Sequence, residues 1–276
     1  MGKPVVSNRA STSAPRSRNV WPVPREVERR EVKYYGVNAC LALWQQRPQD
    51  VIRIYIEEAL LPRFGPMLRW AAQAKKAYHI VPRDDLEKIT ESTHHQGVCV
   101  LAVERPRATF PWLLSRLESS DDPQLLIYLD GVENPHNFGA ILRACAHFGI
   151  PYVLGDGASM PSLSPSAYRV AEGGAEHVSI VALDRPLQQL QTLKSRGFEI
   201  CAATVGRGRD VFRHHYRPRT VLILGAEETG VSKPIARLAD VALTIPGMPV
   251  VESLNVSAAC AVFAAEYFRQ SAGFRV

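Results

Sequence analysis

QLLIYLDGVENPHNFGAILRACAHFGIPYVL, residues 124–154, contains two short apolar runs on either side of a helical pattern. The first run is Leu125–Leu129 and the second is Pro151–Leu154. Between them, Phe138–Phe148 carries apolar residues at three- and four-residue spacing. Buried strands joined by a crossover helix have this pattern. The segment therefore predicts an α/β fold with parallel strands.

The same alternation continues toward the C-terminus and predicts a mostly parallel sheet with helices on both faces. In such a sheet, ligands bind at the carboxyl ends of the strands. The further strands are predicted at Val178–Val181, Glu199–Ala203, Val221–Leu224 and Val241–Ile245, and the further helices at Ala167–Gly173, Pro186–Arg196, Pro234–Leu238 and Leu254–Gln270.

A smaller α/β unit is predicted before this sheet. Its helices are expected at Tyr34–Arg47, Pro66–Lys76 and Asp84–Thr90, and its strands at Val51–Ile56, Tyr78–Val81 and Val98–Val103. We divide the chain into a disordered basic tail (1–31), a small domain (32–104), a linker (105–123) and a larger domain (124–276).

The tail holds most of the chain's basic excess. Net charge is +6, and residues 1–25 contain Lys and Arg but no acid. Rich in Ser, Pro and Arg, this segment cannot bury enough apolar area to fold alone. Three interpretations stay open: an inert tail, an arm that contacts nucleic-acid phosphates, and an organelle transit peptide.

Composition excludes several classes of protein. The chain has 276 residues, 46% hydrophobic and 22% charged, which is ordinary for a globular protein of one or two domains. No apolar run reaches the roughly 20 residues of a membrane span. The five cysteines are widely spaced and lie among apolar neighbours, so we expect reduced thiols in a cytoplasmic protein. No spacing predicts a metal site, and we expect no membrane or metal partner.

Three predicted loops carry more polar residues than a connection needs. The first runs into the helix that contains Asn137 and Arg143, where Asn137 suits the cap position. Arg143, among apolar neighbours, is either a surface residue whose stem crosses the core or a fixed cation aimed at a phosphate or oxyanion. The second loop contains Gly225, Glu227 and Gly230. These residues indicate either a ligand loop or a tight turn.

The third loop runs from Ile245 to Ser257 and enters an Ala-rich helix. Ser253 and Asn255 lie near the predicted start of that helix, where either could be a capping residue.

Together, the three loops resemble the SpoU-type RNA ribose 2′-O-methyltransferases of the SPOUT superfamily. That family's motifs are an Asn, Gly and Arg series, a Gly-x-Glu-x-x-Gly loop, and Ile-Pro followed by Ser-Leu-Asn-Val-Ser. The corresponding residues are Asn137, Gly139 and Arg143, then Gly225, Glu227 and Gly230, then Ile245, Pro246 and 253–257. The resemblance extends from Gln124 to the C-terminus, and 34–103 resembles the substrate-binding domain placed ahead of this catalytic domain.

The resemblance implies a C-terminal trefoil knot, S-adenosylmethionine as cofactor, ribosomal or transfer RNA as substrate, and a homodimer. The implied cofactor contacts are Thr204, Gly225, Ile245 and Leu254. The implied catalytic residues are Arg143, Asn137, Glu227, Ser253 and Asn255.

The implied roles follow from the chemistry of the side chains. Because a guanidinium does not deprotonate near neutral pH, we assign Arg143 to stabilising the forming alkoxide. Asn137 would position the ribose or Arg143, and Glu227 would orient Arg143 or receive the proton. Ser253 and Asn255 would fix their loop and hydrogen-bond substrate.

One departure from the family lies in the third motif. The family usually has Ile-Pro-Met-x-Gly, whereas this chain has Gly247 in the Met position and Pro249 in the Gly position. Pro249 fixes φ at about −65° and removes an N–H donor, so the loop backbone must differ if the family's Gly has a positive φ, with Gly247 as the compensating residue. This departure supports the alternative of a catalytically weak RNA-binding or assembly protein on the same fold. A dinucleotide-binding enzyme is disfavoured because the glycine pairs at 155–157 and 206–208 lack a third glycine.

The segment 207–219 is the best candidate for RNA contact outside the three motifs. It contains five arginines and one acid, interleaved with Phe212, His214, His215 and Tyr216. Arginines among aromatic residues are typical of phosphate contact combined with base stacking, although a solvated basic loop has the same composition.

Overall fold

The computed structural model describes residues 30–119 and 122–271. The predicted tail therefore lies outside the described residues, apart from its last two positions. Two sheets make up the fold, one of four strands and one of eight. Within the described residues, no helix is both long and apolar enough to cross a membrane.

The first unit is a four-stranded sheet in the order β1-β4-β2-β3. β4 is antiparallel to both of its neighbours, and β2 is parallel to the edge strand β3. The elements are β1 Glu31–Tyr35, α1 Val37–Gln46, β2 Val51–Ile56, α2 Leu61–Gln73, β3 Ala77–Ile80, α3 Arg83–Thr90 and β4 Val98–Val103.

The predicted helix Tyr34–Arg47 is wrong at its start. Tyr34 and Tyr35 end strand β1, where they pair with Val100 and Cys99 of β4. Aromatic residues favour strands. The three-residue spacing of apolar residues in the following helix also fits Tyr34, so the pattern predicts a helix that begins too early. Gly36, with φ of 94°, separates strand from helix in a conformation that side-chain-bearing residues rarely adopt.

The second unit is an eight-stranded sheet in the order β10-β12-β9-β11-β6-β7-β8-β5, and all of its strand pairs are parallel. The predicted α/β fold with a mostly parallel sheet is confirmed. The elements are β5 Ala108–Thr109, α4 Phe110–Glu118, β6 Gln124–Asp130, α5 Pro135–His147, β7 Tyr152–Asp156, α6 Pro165–Val170, β8 Ser179–Leu183, α7 Pro186–Ser195, β9 Glu199–Ala203, β10 Arg209–Asp210, β11 Arg219–Gly225, α8 Lys233–Ala236, β12 Val241–Thr244 and α9 Val256–Ser271.

Helices cover both faces of the large sheet, as the apolar runs predict. Successive residues of β6 point to opposite faces: Leu125 and Ile127 join the core under α5 and α9, whereas Leu126 and Tyr128 join the core under α4 and α7. The first of these cores continues without a break into the small unit.

The predicted linker contributes to the large sheet. Ala108 and Thr109 pair with β8, and α4 follows with its N-terminus capped by the Thr109 hydroxyl. Leu113 and Leu117 of α4 are buried against the sheet. The prolines and polar residues that flank this segment indicated a linker, but the apolar face of α4 needs a partner and finds it on the sheet.

The C-terminal strand β12 enters the sheet between β9 and β10, which are neighbours along the chain. The connection from β9 to β10 therefore crosses the carboxyl end of β12. It is held there by a bond from the Thr204 N–H to the Leu243 carbonyl (2.8 Å) and one from the Gly206 N–H to the Thr244 hydroxyl (3.3 Å). Beyond β12 the chain leads into α9, which packs on α5.

A buried ion pair fixes the two units against each other. Arg47 donates from Nε to Glu176 Oε2 (2.8 Å), and the Tyr34 hydroxyl donates to Glu176 Oε1 (3.0 Å). The Tyr34 ring lies 3.9 Å from the ring of Tyr168 on α6. Burial alone would raise the pKa of Glu176, but the charge of Arg47 and its hydrogen bond more than offset this effect and lower it.

Candidate functional site

The candidate site lies at the carboxyl-terminal edge of the large sheet. Strands β12, β9, β11 and β6 are consecutive neighbours in this sheet and run in the same direction. The loops after them therefore meet at one edge, where parallel sheets bind ligands.

Three residues, one from each motif, meet in a hydrogen-bonded network at this edge. The Asn255 Nδ2 amide donates to Asn137 Oδ1 (2.9 Å) and to Glu227 Oε1 (2.7 Å). Asn255 is the centre of the network because each of its amide hydrogens has an acceptor. These residues are 118 and 28 positions from Asn255 along the chain, so the contact results from the fold.

Asn255 also caps α9. Its Oδ1 accepts from the Ser257 backbone N–H (2.9 Å) and from the Ser257 hydroxyl (2.6 Å). Capping and network formation thus use opposite ends of one amide group. The start of the helix fixes the position of the amide, and the amide fixes Glu227.

The predicted cap of α5 is wrong. Asn134 holds the cap position and accepts from the His136 backbone N–H (2.8 Å), because Pro135 then occupies the first helical position that proline favours. Asn137 lies instead in the first turn, buried and turned toward Asn255. Its Nδ2 makes no hydrogen bond with a described residue and so leaves two donors for a ligand.

Arg143 is exposed and lies on another side of α5 from Asn137. The six-residue separation places the two side chains about 120° apart around the helix axis. Arg143 lines a cleft with His147, one turn later on α5, and with Asn38 and His177. Among the described residues it has no hydrogen bond or ion pair, so the expected orientation of Arg143 by Glu227 is not present within this chain.

His147 and His177 are potential site residues that the sequence analysis did not identify. Both line the cleft beside Arg143. The four-residue spacing between Arg143 and His147 places them on one helix face, which is a signal available in the sequence.

The glycines of the second motif form a tight turn. The Gly230 N–H donates to the Ala226 carbonyl (2.9 Å), and Gly230 has φ of 67°. A Cβ at Gly225 would lie 2.1 Å from the Gly230 carbonyl carbon. The turn therefore requires glycine at both positions, and it directs Glu227 toward Asn255.

The third motif presents unpaired backbone groups. From 246 to 254, no backbone N–H donates to another described residue. Leu254 is 47% exposed and Ser253 is also exposed, with no hydrogen bond to a described residue. Ile245 and Thr204 lie half-buried where the loop begins. A loop with free backbone donors and exposed apolar side chains can hold a flat, polar-edged ligand such as an adenine base.

The basic segment 207–219 has two sides. Arg207 and Arg209 are exposed without a partner among the described residues, and Phe212 is 53% exposed. In contrast, His214 is 3% exposed and Tyr216 is half-buried. The predicted base stacking is therefore wrong for His214 and Tyr216, whose rings pack edge to face in the core.

Two protein families match the chain. Residues 124–265 match the SpoU rRNA Methylase family. Residues 34–107 match the family described as RNA 2′-O ribose methyltransferase substrate binding.

Relatives from several bacteria are similar over most of the chain. The "Uncharacterized tRNA/rRNA methyltransferase YfiF" of Escherichia coli O157:H7 is 34% identical over 90% of this chain and 71% of its own length. The 23S rRNA (guanosine-2′-O-)-methyltransferase RlmB of Bordetella pertussis is 30% identical over 86% of this chain and 97% of its own.

Solved structures share the fold. The SpoU methyltransferase AviRb from Streptomyces viridochromogenes, in complex with AdoMet, superposes with a TM-score of 0.71 at 20% identity, covering 88% of this chain and 91% of its own. An AdoMet-bound rRNA methyltransferase from Sinorhizobium meliloti has a TM-score of 0.70 at 19% identity, covering 87% of each chain.

Proposed function

The chain belongs to the SpoU rRNA methylase family, whose members are S-adenosylmethionine-dependent RNA ribose 2′-O-methyltransferases, and we propose that Arg143 and the Asn137–Glu227–Asn255 network form its catalytic site. The convergence of three distant motif residues in one network carries this proposal. The stability of a parallel sheet does not require such a polar network at the edge of the sheet. Binding of an RNA ribose, in contrast, requires donors and acceptors in fixed positions.

The third-motif loop fits the cofactor. When bound, S-adenosylmethionine supplies an electrophilic methyl group. We propose that Thr204, Gly225, Ile245 and Leu254 hold it, because free backbone donors from 246 to 254 and the exposed Leu254 side chain offer polar and apolar contacts together. Pro249 removes one donor from this loop, and its neighbours keep theirs.

The chain's own residues supply positioning and charge. The guanidinium of Arg143 stabilises the negative charge that develops on the 2′-oxygen, or binds the adjacent phosphate. The free Nδ2 of Asn137 donates to the ribose, and the second carboxylate oxygen of Glu227 accepts the hydroxyl proton directly or through water. Asn255 is a positioning residue, because its amide hydrogens already bind Asn137 and Glu227. Ser253 is free to donate to the RNA.

Replacing the centre of the network should weaken transfer. We expect Asn255→Ala to lower kcat for methyl transfer by about 10- to 100-fold, because Glu227 and Asn137 lose the donor that positions them, and a misplacement of about 1 Å can cost about 10²-fold. Glu228→Gln in the same loop is the matched control, since Glu228 is exposed and makes no hydrogen bond with a described residue. Equal rates for both variants would contradict the positioning role.

We propose that the enzyme is a homodimer and that its catalytic site is shared between protomers. Within one chain, Arg143 and Glu227 do not touch. Two exposed apolar side chains support pairing: Val251 in the third-motif loop is 67% exposed, and Phe268 near the C-terminal end of α9 is 43% exposed. In this arrangement the partner's Arg143 reaches the network.

We also propose that the C-terminal region is knotted. The support is the entry of β12 between β9 and β10, which forces the following chain to pass the connection at 204–208. Such threading is rare in proteins and places the cofactor loop inside a rigid ring of chain.

We also propose a separate role for each of the two units. The small unit and the outer side of the basic segment contact RNA, and the large unit performs the transfer. Ribosomal RNA is the first candidate substrate because relatives are named 23S rRNA (guanosine-2′-O-)-methyltransferase RlmB, and we propose the cytoplasm as the site of action.

Removing the outer arginines should reduce RNA affinity in a salt-dependent manner. We expect Arg207→Ala with Arg209→Ala to lower the slope of log affinity against log salt by about 1.4–1.8, because each phosphate contact contributes about 0.7–0.9. The control with equal charge loss is Arg116→Ala with Arg196→Ala, at the far ends of α4 and α7. An unchanged slope would contradict RNA contact by Arg207 and Arg209.

The proposed function is tested by titrating the full chain with S-adenosylmethionine in a calorimeter and by following labelled methyl transfer to ribosomal and transfer RNA in parallel. Binding with transfer to one RNA pool supports the proposal and identifies the substrate class. A folded protein that binds RNA but no cofactor would overturn it in favour of an RNA-binding or assembly role.

A further inference from the structure

The inner side of the basic segment carries a cluster that methyl transfer does not use. Glu199 and Cys201 are two residues apart on β9, so their side chains point to the same face of the sheet. His214 lies against that face, and all three residues are buried. Among residues 30–119 and 122–271, this is the only group of three or more His, Cys, Asp or Glu side chains arranged to hold a metal ion.

The three donor atoms are spaced like the corners of a metal site. His214 Nε2 lies 3.3 Å from Glu199 Oε2, and Cys201 Sγ lies 3.7 Å from Glu199 Oε2 and 4.0 Å from His214 Nε2. Zinc binds nitrogen and oxygen at about 2.0–2.2 Å and sulfur at about 2.3 Å, so a tetrahedron has edges of about 3.3–3.7 Å. Two observed separations fall in that range, and the third needs a shift of a few tenths of an ångström.

Hydrogen bonding alone explains the cluster poorly. The thiol has one proton and two neighbours, both at long distance. His214 Nδ1 and the nearby Tyr216 hydroxyl are buried without a partner. These two atoms are not donors to the cluster itself, but they show that polar groups of this core are incompletely paired within the described residues.

The charge of Glu199 is also weakly compensated. Within the described residues its permanent cation is Arg217, whose Nε lies 3.6 Å from Glu199 Oε1 and whose side chain is 69% exposed. Val211 and Leu222 lie in the same core, and Asp240, which acts on Cys201, adds a further negative charge. A buried carboxylate is costly unless it is paired or coordinates a metal.

We propose that Glu199, Cys201 and His214 bind one divalent ion of the zinc class, with water in the fourth position. Sulfur, imidazole and carboxylate ligands together select zinc over magnesium or calcium. The sequence predicts no metal site because its Cys and His residues lack zinc-finger spacing, whereas these ligands come from a strand and from the residue after a short helical turn.

The ion has a structural role. It lies toward the amino end of β9, away from the loops at the carboxyl edge, so it takes no part in methyl transfer. His214 and Tyr216 are tied to α9 through Gln270, which donates to the His214 carbonyl (2.8 Å) and accepts from the Tyr216 N–H (3.0 Å). The ion would therefore anchor the basic segment to both β9 and α9.

The test uses the full chain, treated with a chelator and then titrated with Co²⁺ and Zn²⁺. We expect one equivalent of Co²⁺ to bind with thiolate-to-cobalt charge-transfer absorption, and Zn²⁺ to displace it and raise the unfolding temperature. Cys201→Ala should abolish the absorption and His214→Ala should weaken binding more than about tenfold, since even outer-shell changes cost about 10- to 100-fold. Cys99→Ala, another buried thiol, is the control.

The wild-type spectrum decides the proposal even if a variant fails to fold. Substoichiometric Co²⁺ binding, or binding without the thiolate absorption, would overturn it. Retention of the absorption by a folded Cys201→Ala variant would do the same.

Discussion

Arg143→Ala should reduce methyl transfer by about 10²- to 10³-fold, the cost of removing one preorganised group that stabilises a developing oxyanion. Arg143 is exposed and has no partner among the described residues, so its charge is available to substrate. The measurement is single-turnover transfer of labelled methyl to saturating RNA. Cofactor affinity should be unchanged, because Arg143 is outside the proposed cofactor loops.

The conservative variant separates charge from geometry. Arg143→Lys keeps the positive charge but loses the planar fork that grips a phosphate. We expect it to recover part of the lost rate. An Arg143→Ala enzyme with more than a third of the wild-type rate would exclude a leading role for this residue.

Mixing two variants of reduced activity tests whether the site is shared, with the activity of each variant alone as the baseline. Heterodimers of Arg143→Ala and Asn255→Ala contain one intact site if Arg143 acts on the partner's network. Exchange of subunits should then restore up to about a quarter of the wild-type activity. Half of the dimers are mixed, and each mixed dimer has one intact site out of two. No restoration would assign Arg143 to its own protomer's network.

Arg47→Met should lower the free energy of unfolding by about 3–5 kcal/mol, the usual cost of leaving one partner of a buried ion pair uncompensated. Arg47 and Glu176 are each 7% exposed, and their pair joins the small unit to the large one. Denaturant unfolding measures the change. The double variant with Glu176→Gln should recover part of the loss, since the carboxylate that Arg47 compensated is then absent.

An exposed pair is the control for this stability change. Arg83→Met breaks the surface pair with Glu87 and should cost less than about 1 kcal/mol. A loss of similar size for Arg47→Met would contradict the structural role of the buried pair.

Stability should also depend on acid through Glu176. Its folded pKa is below the usual 4.5, so its contribution is complete above that value and is lost as the pH falls through the folded pKa. Glu176→Gln should therefore flatten the acid side of the stability profile.

The large sheet could be predicted because its strands are continuous apolar runs bounded by turn residues. Leu125–Leu129 is a short, continuous apolar run, and its length favours a strand covered on both faces over a buried helix. The start of the small unit could not be predicted from the sequence, because Tyr34 and Tyr35 fit both a helix face and a strand. Pairing with β4 decides in favour of the strand.

The site could be predicted as a set of residues but not as an arrangement. The motifs identify Asn137, Glu227 and Asn255, yet only the fold shows that Asn255 bridges the other two. Likewise, sequence cannot show that His214 turns inward while Phe212 turns outward, because a short irregular segment has no period from which to read a face.

The most direct test of the central claim is nucleoside analysis of RNA after incubation with the full chain and S-adenosylmethionine. The proposed site predicts a new ribose 2′-O-methyl nucleoside, formed by the wild-type protein and almost absent with Arg143→Ala. Methylation on a base, or cofactor binding with equal ribose methylation by both proteins, would contradict it.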